Sequence, residues 1–207
     1  MDSLLNELDS SDPKSKIGIL IELSDEYLFL DDDSALFYGN KAFDLANTSS
    51  LEFEQAKAGF QLGKVYYQID SLNTSLQYLL KAKPIIQNST DSSLMFKLYN
   101  HLGYVYFDME EFDEALNYQN LSLSIEKDIT NKMEMASRLL DIGMVYEFTG
   151  NYEKALAYYT QALKVNKELG FEEDIAIVLN NLGNVFQTFG NYEKSLEYYL
   201  EALEIYE

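Results

Sequence analysis

Cysteine is absent from this chain of 207 residues, which excludes disulfides, thiolate zinc centres and cysteine nucleophiles. The compartment stays open, because a cysteine-free chain is tolerated inside the cytoplasm and outside it. Proline occurs twice and glycine ten times, a scarcity of helix breakers that points to a mostly helical protein. No run approaches the eighteen apolar residues of a membrane span, and Met1–Leu8 carries neither a basic segment nor an apolar core. These residues are therefore expected to contain no transmembrane helix and no intact signal peptide. Positive charge is also short: 15 bases face 35 acids, for a net charge of −20, and Arg138 is the only arginine. Nucleic acid or an anionic membrane surface would have to bind against that field, so neither is expected as a partner. What is plentiful is apolar surface, 47% of the residues, enough to build a sizeable core despite the charge.

The dominant positive signal is repetition. "NYEKALAYYTQAL" (Asn151–Leu163) returns forty residues later as "NYEKSLEYYLEAL" (Asn191–Leu203), with nine of thirteen positions identical. The same interval of forty separates Gly63, Gly103, Gly143 and Gly183, and also Leu36, Leu76, Leu116, Leu156 and Leu196. Tyr38, Tyr78, Tyr118, Tyr158 and Tyr198 keep the beat, as do small residues at Ala35, Ser75, Ala115, Ala155 and Ser195. A fixed period of this length marks stacked supersecondary units rather than one irregular core.

Within a unit the pattern is helical. Ile175, Val178, Leu179, Leu182, Val185 and Phe186 recur at three and four and share one face of a first helix, helix A. "FGN" (Phe189–Asn191) breaks it, with Gly190 suited to a left-handed turn and Asn191 to capping the next helix. The second helix, helix B, is expected to turn Tyr192, Leu196, Tyr199, Ala202 and Leu203 inward. Glycine inside a helix costs about 1 kcal/mol relative to alanine, so four glycines at one phase imply a close approach of helix B. Ala155 and Ala162 are the expected shallow spots opposite them.

The run "LNNLGNVFQTFGNYEKSLEYYLEAL" (Leu179–Leu203) resembles the tetratricopeptide repeat: Leu-Gly, then an aromatic, then Gly-Asn-Tyr, then two small residues seven apart. The forty-residue unit is similar to the long-helix subclass of kinesin-light-chain-like and Leu-Gly-Asn adaptor proteins, and to bacterial sensors and peptide receptors. The resemblance implies an all-α fold, a right-handed α-solenoid of stacked helix-turn-helix hairpins. Its expected organisation is a lead-in over residues 1–13, a divergent capping repeat over 14–50, and repeats over 51–90, 91–130, 131–170 and 171–207. "DSLNTSLQYLLKA" (Asp70–Ala82) and "EEFDEALNYQNLS" (Glu110–Ser122) lack the turn glycine. In the capping repeat Ser24 stands where glycine is expected. The last repeat stops inside its helix B at Glu207, so a longer parent protein is expected. The opening stretch looks like the extracytoplasmic sensory region of bacterial histidine kinases and transcription regulators. That resemblance favours the periplasmic side of a membrane-bound receptor, with the cytoplasm as the alternative.

Chemistry is hard to assemble from these residues. His101, the only histidine, falls at a phase where the other repeats carry Gln61, Asp141 and Asn181, so a polar helix position outweighs a general base or ligand. "GFQLGKV" (Gly59–Val65) has three residues between its glycines, no Ser or Thr for magnesium, and a helical setting, so it fails as a phosphate loop. "DDDS" (Asp31–Ser34) lacks the alternating ligands of a calcium loop, and acids before a helix have an ordinary electrostatic use. No catalytic residue, metal or cofactor is expected, and the chain is read as a non-enzyme.

The resemblance implies a groove lined by helix A, with ligand-facing positions set by their distance from the repeat glycine. Transferred to this sequence, these are Lys57, Phe60, Lys64 and Tyr67, then Lys97, Asn100, Tyr104, Phe107 and Asp108. The later repeats contribute Met144, Glu147, Asn180, Asn184 and Gln187. Amides can hold an extended backbone whatever its sequence, and aromatics and methionine supply pockets. Lys57, Lys64 and Lys97 suggest an anionic anchor, against the alternative that exposed helix positions simply favour lysine. The expected function is a non-catalytic scaffold that binds a peptide or protein segment, as the sensory or regulatory part of a signalling protein. The alternative is a self-association module, a homodimer formed through the uncovered face at Leu200, Leu203 and Tyr206.

Overall fold

Capping side chains at Asp12, Asp31, Asp91, Asn151 and Asn191 and left-handed residues at Ser50, Asp70, Glu110, Gly150, Gly170 and Gly190 mark the ends of helices of fifteen to eighteen residues. The computed structural model describes residues 12–126 and 132–206; the lead-in lies outside the described residues up to residue 11. Among the described residues every regular element is an α-helix: α1 (Pro13–Tyr27), α2 (Asp32–Thr48), α3 (Glu52–Gln68), α4 (Leu72–Gln87), α5 (Ser92–Asp108), α6 (Phe112–Glu126), α7 (Lys132–Phe148), α8 (Tyr152–Leu169), α9 (Glu172–Thr188) and α10 (Tyr192–Tyr206). The fold is all-α, built of antiparallel helical hairpins. The chain divides into two units, Met1–Glu110 and Glu111–Glu207, and each is described by itself.

The caps are those the sequence supplies. Asp12 accepts from the backbone of Lys14 and Ser15, with Pro13 at the first helical position. Asp31 accepts from Ser34 N at the start of α2, so "DDDS" is a helix N-terminus. Asn151 and Asn191 accept from Lys154 N and Lys194 N at 3.3 and 3.1 Å. Gly150, Gly170 and Gly190 adopt φ of 75°, 74° and 72° at the helix ends. Where the turn glycine is missing, the backbone keeps its conformation: Asp70 and Glu110 take φ of 58° and 61° at the phase of Gly150 and Gly190. Ser50, at the phase of Gly170, does the same at 54°.

In the first unit α1 packs on α2, α2 on α3, α3 on α4 and α4 on α5, while α1 and α5 also touch α3. "GFQLGKV" lies inside α3. Ser24 is fully buried in α1 and donates to the Ala35 carbonyl at 2.8 Å. The glycine of that crossing has moved to the other helix: a Cβ on Gly39 of α2 would lie 2.8 Å from Leu62 and 3.2 Å from Ser24 Oγ. Stacked rings clasp the hairpins, Tyr27 on Tyr38 at 5.7 Å and Tyr66 on Tyr78 at 5.4 Å.

In the second unit α6 packs on α7, α7 on α8, α8 on α9 and α9 on α10. Leu139, Ala155, Tyr159, Ala162, Val178, Leu182 and Val185 form one buried cluster across α7, α8 and α9. Consecutive hairpins therefore shield each other's apolar sides. Ring clasps recur at Tyr146–Tyr158 (5.5 Å) and Phe186–Tyr198 (5.4 Å), with Lys154 and Lys194 over the outer faces of Tyr146 and Phe186.

Two expectations change here. The groups opposite the repeat glycines are large, not shallow: a Cβ on Gly143 would lie 2.5 Å from the Tyr159 ring, one on Gly183 2.5 Å from Tyr199, and one on Gly63 2.5 Å from Leu79. The glycine makes room for a ring that crosses the helix, rather than for backbone at Ala155 or Ala162. On α10, Tyr192, Leu196 and Leu203 do not face inward but are 70%, 57% and 52% exposed. Helix B carries two apolar faces. Tyr198 and Ala202 meet its own helix A, whereas the face that on α8 comprises Tyr152, Leu156 and Leu163 meets the next hairpin. Periodicity alone merges the two.

Candidate functional site

A residue on helix A one or four places beyond the glycine points away from helix B, so its environment depends on whatever reaches past the helix. In the second unit that reach is supplied by the rings crossing at glycine. Tyr159 passes Gly143 and donates its hydroxyl to Glu147 Oε2 at 2.6 Å. Tyr199 passes Gly183 and donates to Asn184 Oδ1 at 2.7 Å, with Gln187 Oε1 at 3.3 Å. Burial, then the bond to Glu147 and the charges of Glu147 and Asp141, push the Tyr159 phenol far above its ordinary value, so it remains a neutral donor. Asn184 and Gln187 are exposed, and Asn180 and Met144 half-buried. Glu147 and Asn184 are thus each held by a tyrosine hydroxyl, with Gln187 beside the second of them.

In the first unit the expected positions gather on α3 and α5, which touch. Tyr67 stacks on Tyr104 with centroids 6.3 Å apart and donates to Asp108 Oδ2 at 2.7 Å. Phe107 is half-buried and Asn100 half-buried beside them. Phe60 is buried against the edge of the His101 ring at 5.3 Å, so it belongs to the packing more than to the surface. His101 donates from Nδ1 to the Lys97 carbonyl at 2.9 Å and meets Tyr104 edge-on.

The three lysines are not equivalent. Lys64 forms an ion pair with Asp25 of α1 and lies 3.2 Å from Gln61 Oε1. Lys57 sits 5.8 Å over the Phe53 ring, and the Lys97 side chain is exposed. Asp25, Tyr159 and Tyr199 were not among the expected site residues. The two tyrosines carry a sequence signal, a fixed sixteen-residue offset from the glycine; Asp25 carries none, since it reaches Lys64 across 39 residues. Among the described residues no group of three or more His, Asp or Glu is placed to hold a metal ion, and no helix is long and apolar enough to cross a membrane.

Comparison with known proteins follows the same lines. Solved structures with this fold include BtubC from P. vanneervenii, at TM-score 0.82 and 17% identity over 93% of this chain and 80% of that one. A signal transduction ATPase with numerous domains and a tetratricopeptide repeat sensor, from Pyrococcus horikoshii, superposes at TM-score 0.85 with 19% identity over 98% of this chain. Aspartyl phosphate phosphatase F from Bacillus subtilis gives 0.78 and 17% over 99%. This chain spans 32% of the ATPase and 55% of the phosphatase, and at such identities the likeness is one of fold. No curated protein sequence matches significantly. The tetratricopeptide repeat family model matches residues 94–168 and 134–207, together more than half of the chain. With its glycine-crossed hairpins and paired helix faces, the chain belongs to the tetratricopeptide repeat family.

Proposed function

We propose that this protein is a non-catalytic scaffold that binds an extended peptide or protein segment along its helix-A faces. The observation that carries the reading is the fixing of Glu147 and Asn184 by the hydroxyls of Tyr159 and Tyr199. Polar groups locked before binding lose little side-chain freedom when a ligand arrives, and a face serving only solubility has no use for such bonds. In the first unit the Tyr67–Tyr104 stack offers an aromatic surface beside Asp108. An acidic group on the ligand finds Lys57 on α3 and Lys97 on α5, while Lys64 would first have to leave Asp25. The sensor repeats of the Pyrococcus ATPase support a sensory or regulatory place in a signalling protein.

Peptides selected from a random display library against the whole chain test this directly. Tyr104→Ala, Lys97→Glu and the pair Asn184→Ala with Gln187→Ala are each expected to weaken the selected peptides in the unit they contact, by about tenfold for a central contact. Peptides whose affinity ignores all of these changes would remove the helix-A faces as the binding surface.

A second reading has one observation behind it. Leu200 and Tyr206 join Tyr192, Leu196 and Leu203 as exposed apolar residues on one side of α10, a face suited to self-association. Glu193, Glu197, Glu201 and Glu204 share that helix, so pairing two copies brings acids together. A homodimer of this kind should tighten as salt rises; sedimentation that shows a monomer at every salt and protein concentration would dismiss it.

A further inference from the structure

Gly59 in α3 has no packing reason to be glycine. A Cβ there would meet Phe43 at 3.5 Å and Ala82 at 3.9 Å, ordinary contacts, whereas Gly63 one turn later would collide with Leu79 at 2.5 Å. Its φ is unexceptional and its position is the interior of a seventeen-residue helix, where glycine is otherwise unfavourable. The other repeats fill the same phase with Tyr99, Leu139 and Leu179, all buried. The side chain missing at Gly59 leaves a cavity of about 140 Å³ between α2, α3 and α4. Ala56, Gly59 and Ala82 form its floor, and Phe43, Tyr78 and Ile85 its walls. Phe43 and Tyr78 meet edge to face at 5.7 Å, and Tyr78 is backed by Tyr66, so the walls are rigid aromatic surfaces.

The mouth has a different character. Gln55 and Lys81 line it, and Lys81 makes no ion pair among the described residues. Asp44 acts on the Tyr78 phenol but does not line the cavity. An enclosed apolar cavity of about 150 Å³ is known to accept a benzene ring. This space has a similar volume but opens to solvent on one side, so it suits one six-membered ring whose substituent reaches outward. The lone ammonium at its mouth adds a preference for an anionic substituent.

We infer that this cavity is a binding site for a small monocyclic aromatic carboxylate, its ring over Gly59 between Phe43 and Tyr78 and its carboxylate at Lys81. Its α3 residues, Gln55, Ala56 and Gly59, are none of the groove positions named above, and neither proposal needs the other.

Titration of the whole chain with phenylacetate and with neutral benzyl alcohol, followed by NMR shifts of residues around Gly59, tests the assignment. Both rings are expected to bind, phenylacetate more tightly. Gly59→Leu, which installs the side chain of the equivalent repeats, should cut both affinities by about tenfold or more while melting at or above the temperature of the parent. Lys81→Gln, at an exposed position, should weaken phenylacetate several-fold and leave benzyl alcohol unchanged. The inference is overturned if neither probe perturbs these residues, or if Gly59→Leu binds them as well as the parent. It also fails if that variant melts lower, since the cavity would then be too small for a leucine. Binding confined to a peptide with an aromatic side chain, with the free acids inert, would overturn the small-molecule assignment in favour of a protein contact.

Discussion

At the scale of single residues the repeat glycines and the rings that cross them form a matched pair. Gly143 has no tolerance for a side chain because Tyr159 already occupies the space at 2.5 Å. Gly143→Leu should therefore overpack the crossing and lower stability by about 1–3 kcal/mol, read from a melting curve. Tyr159→Phe keeps the ring and removes the hydroxyl bond to Glu147; a bond to a charged acceptor contributes about 1.5–3 kcal/mol, so a loss of comparable size is expected. The phenol also predicts a pH dependence. Its folded value is raised above 10.0, chiefly by burial, so its stabilising contribution is whole below pH 10 and is lost as the solution rises beyond that. Chemical denaturation of the parent should weaken at strongly alkaline pH, and the Tyr159→Phe variant should weaken less steeply. Identical alkaline slopes would contradict the neutral-donor role.

At the scale of the element, the turns at Asp70, Glu110, Gly150 and Gly190 are each held by a left-handed residue whether or not the sequence supplies glycine. Asp70 and Glu110 adopt the positive φ that Gly150 and Gly190 adopt forty residues on, and a side chain in that conformation is disfavoured by roughly 1–2 kcal/mol. Asp70 is exposed. Asp70→Gly should consequently stabilise the first unit by about 0.5–1 kcal/mol, the gain in turn geometry being offset in part by the freer unfolded chain. A drop in the denaturation midpoint would show that the turn is held by something other than backbone preference. At the other end of the same kind of helix, Asn151→Ala removes the bond to Lys154 N and should cost about 1 kcal/mol. The capping repeat shows that a crossing can be built in reverse: the small residue moves to Gly39 on helix B, and Ser24 on helix A satisfies the Ala35 carbonyl.

At the scale of the whole molecule the governing quantity is a net charge of −20. Self-repulsion of this size opposes the compact state, so raising salt from low to physiological ionic strength should raise the melting temperature by screening it; a melting temperature that falls instead would mean that ion pairs such as Lys167–Glu201 and Lys132–Glu168 outweigh the repulsion. Helices, turns and caps were legible in the chain itself because each depends on neighbours a few residues away. Period, proline scarcity and the Gly-Asn-Tyr turns by themselves determine an all-α array of hairpins. The direction of the α10 side chains was not legible, because Tyr192, Leu196 and Leu203 repeat the pattern of Tyr152, Leu156 and Leu163, and only the helix packed alongside distinguishes a covered face from a bare one. The pairing of Lys64 with Asp25 and the cavity left by Gly59 were likewise decided by tertiary structure. Both join residues on different helices, and a period repeated along the chain carries no record of which side chains finally share a space.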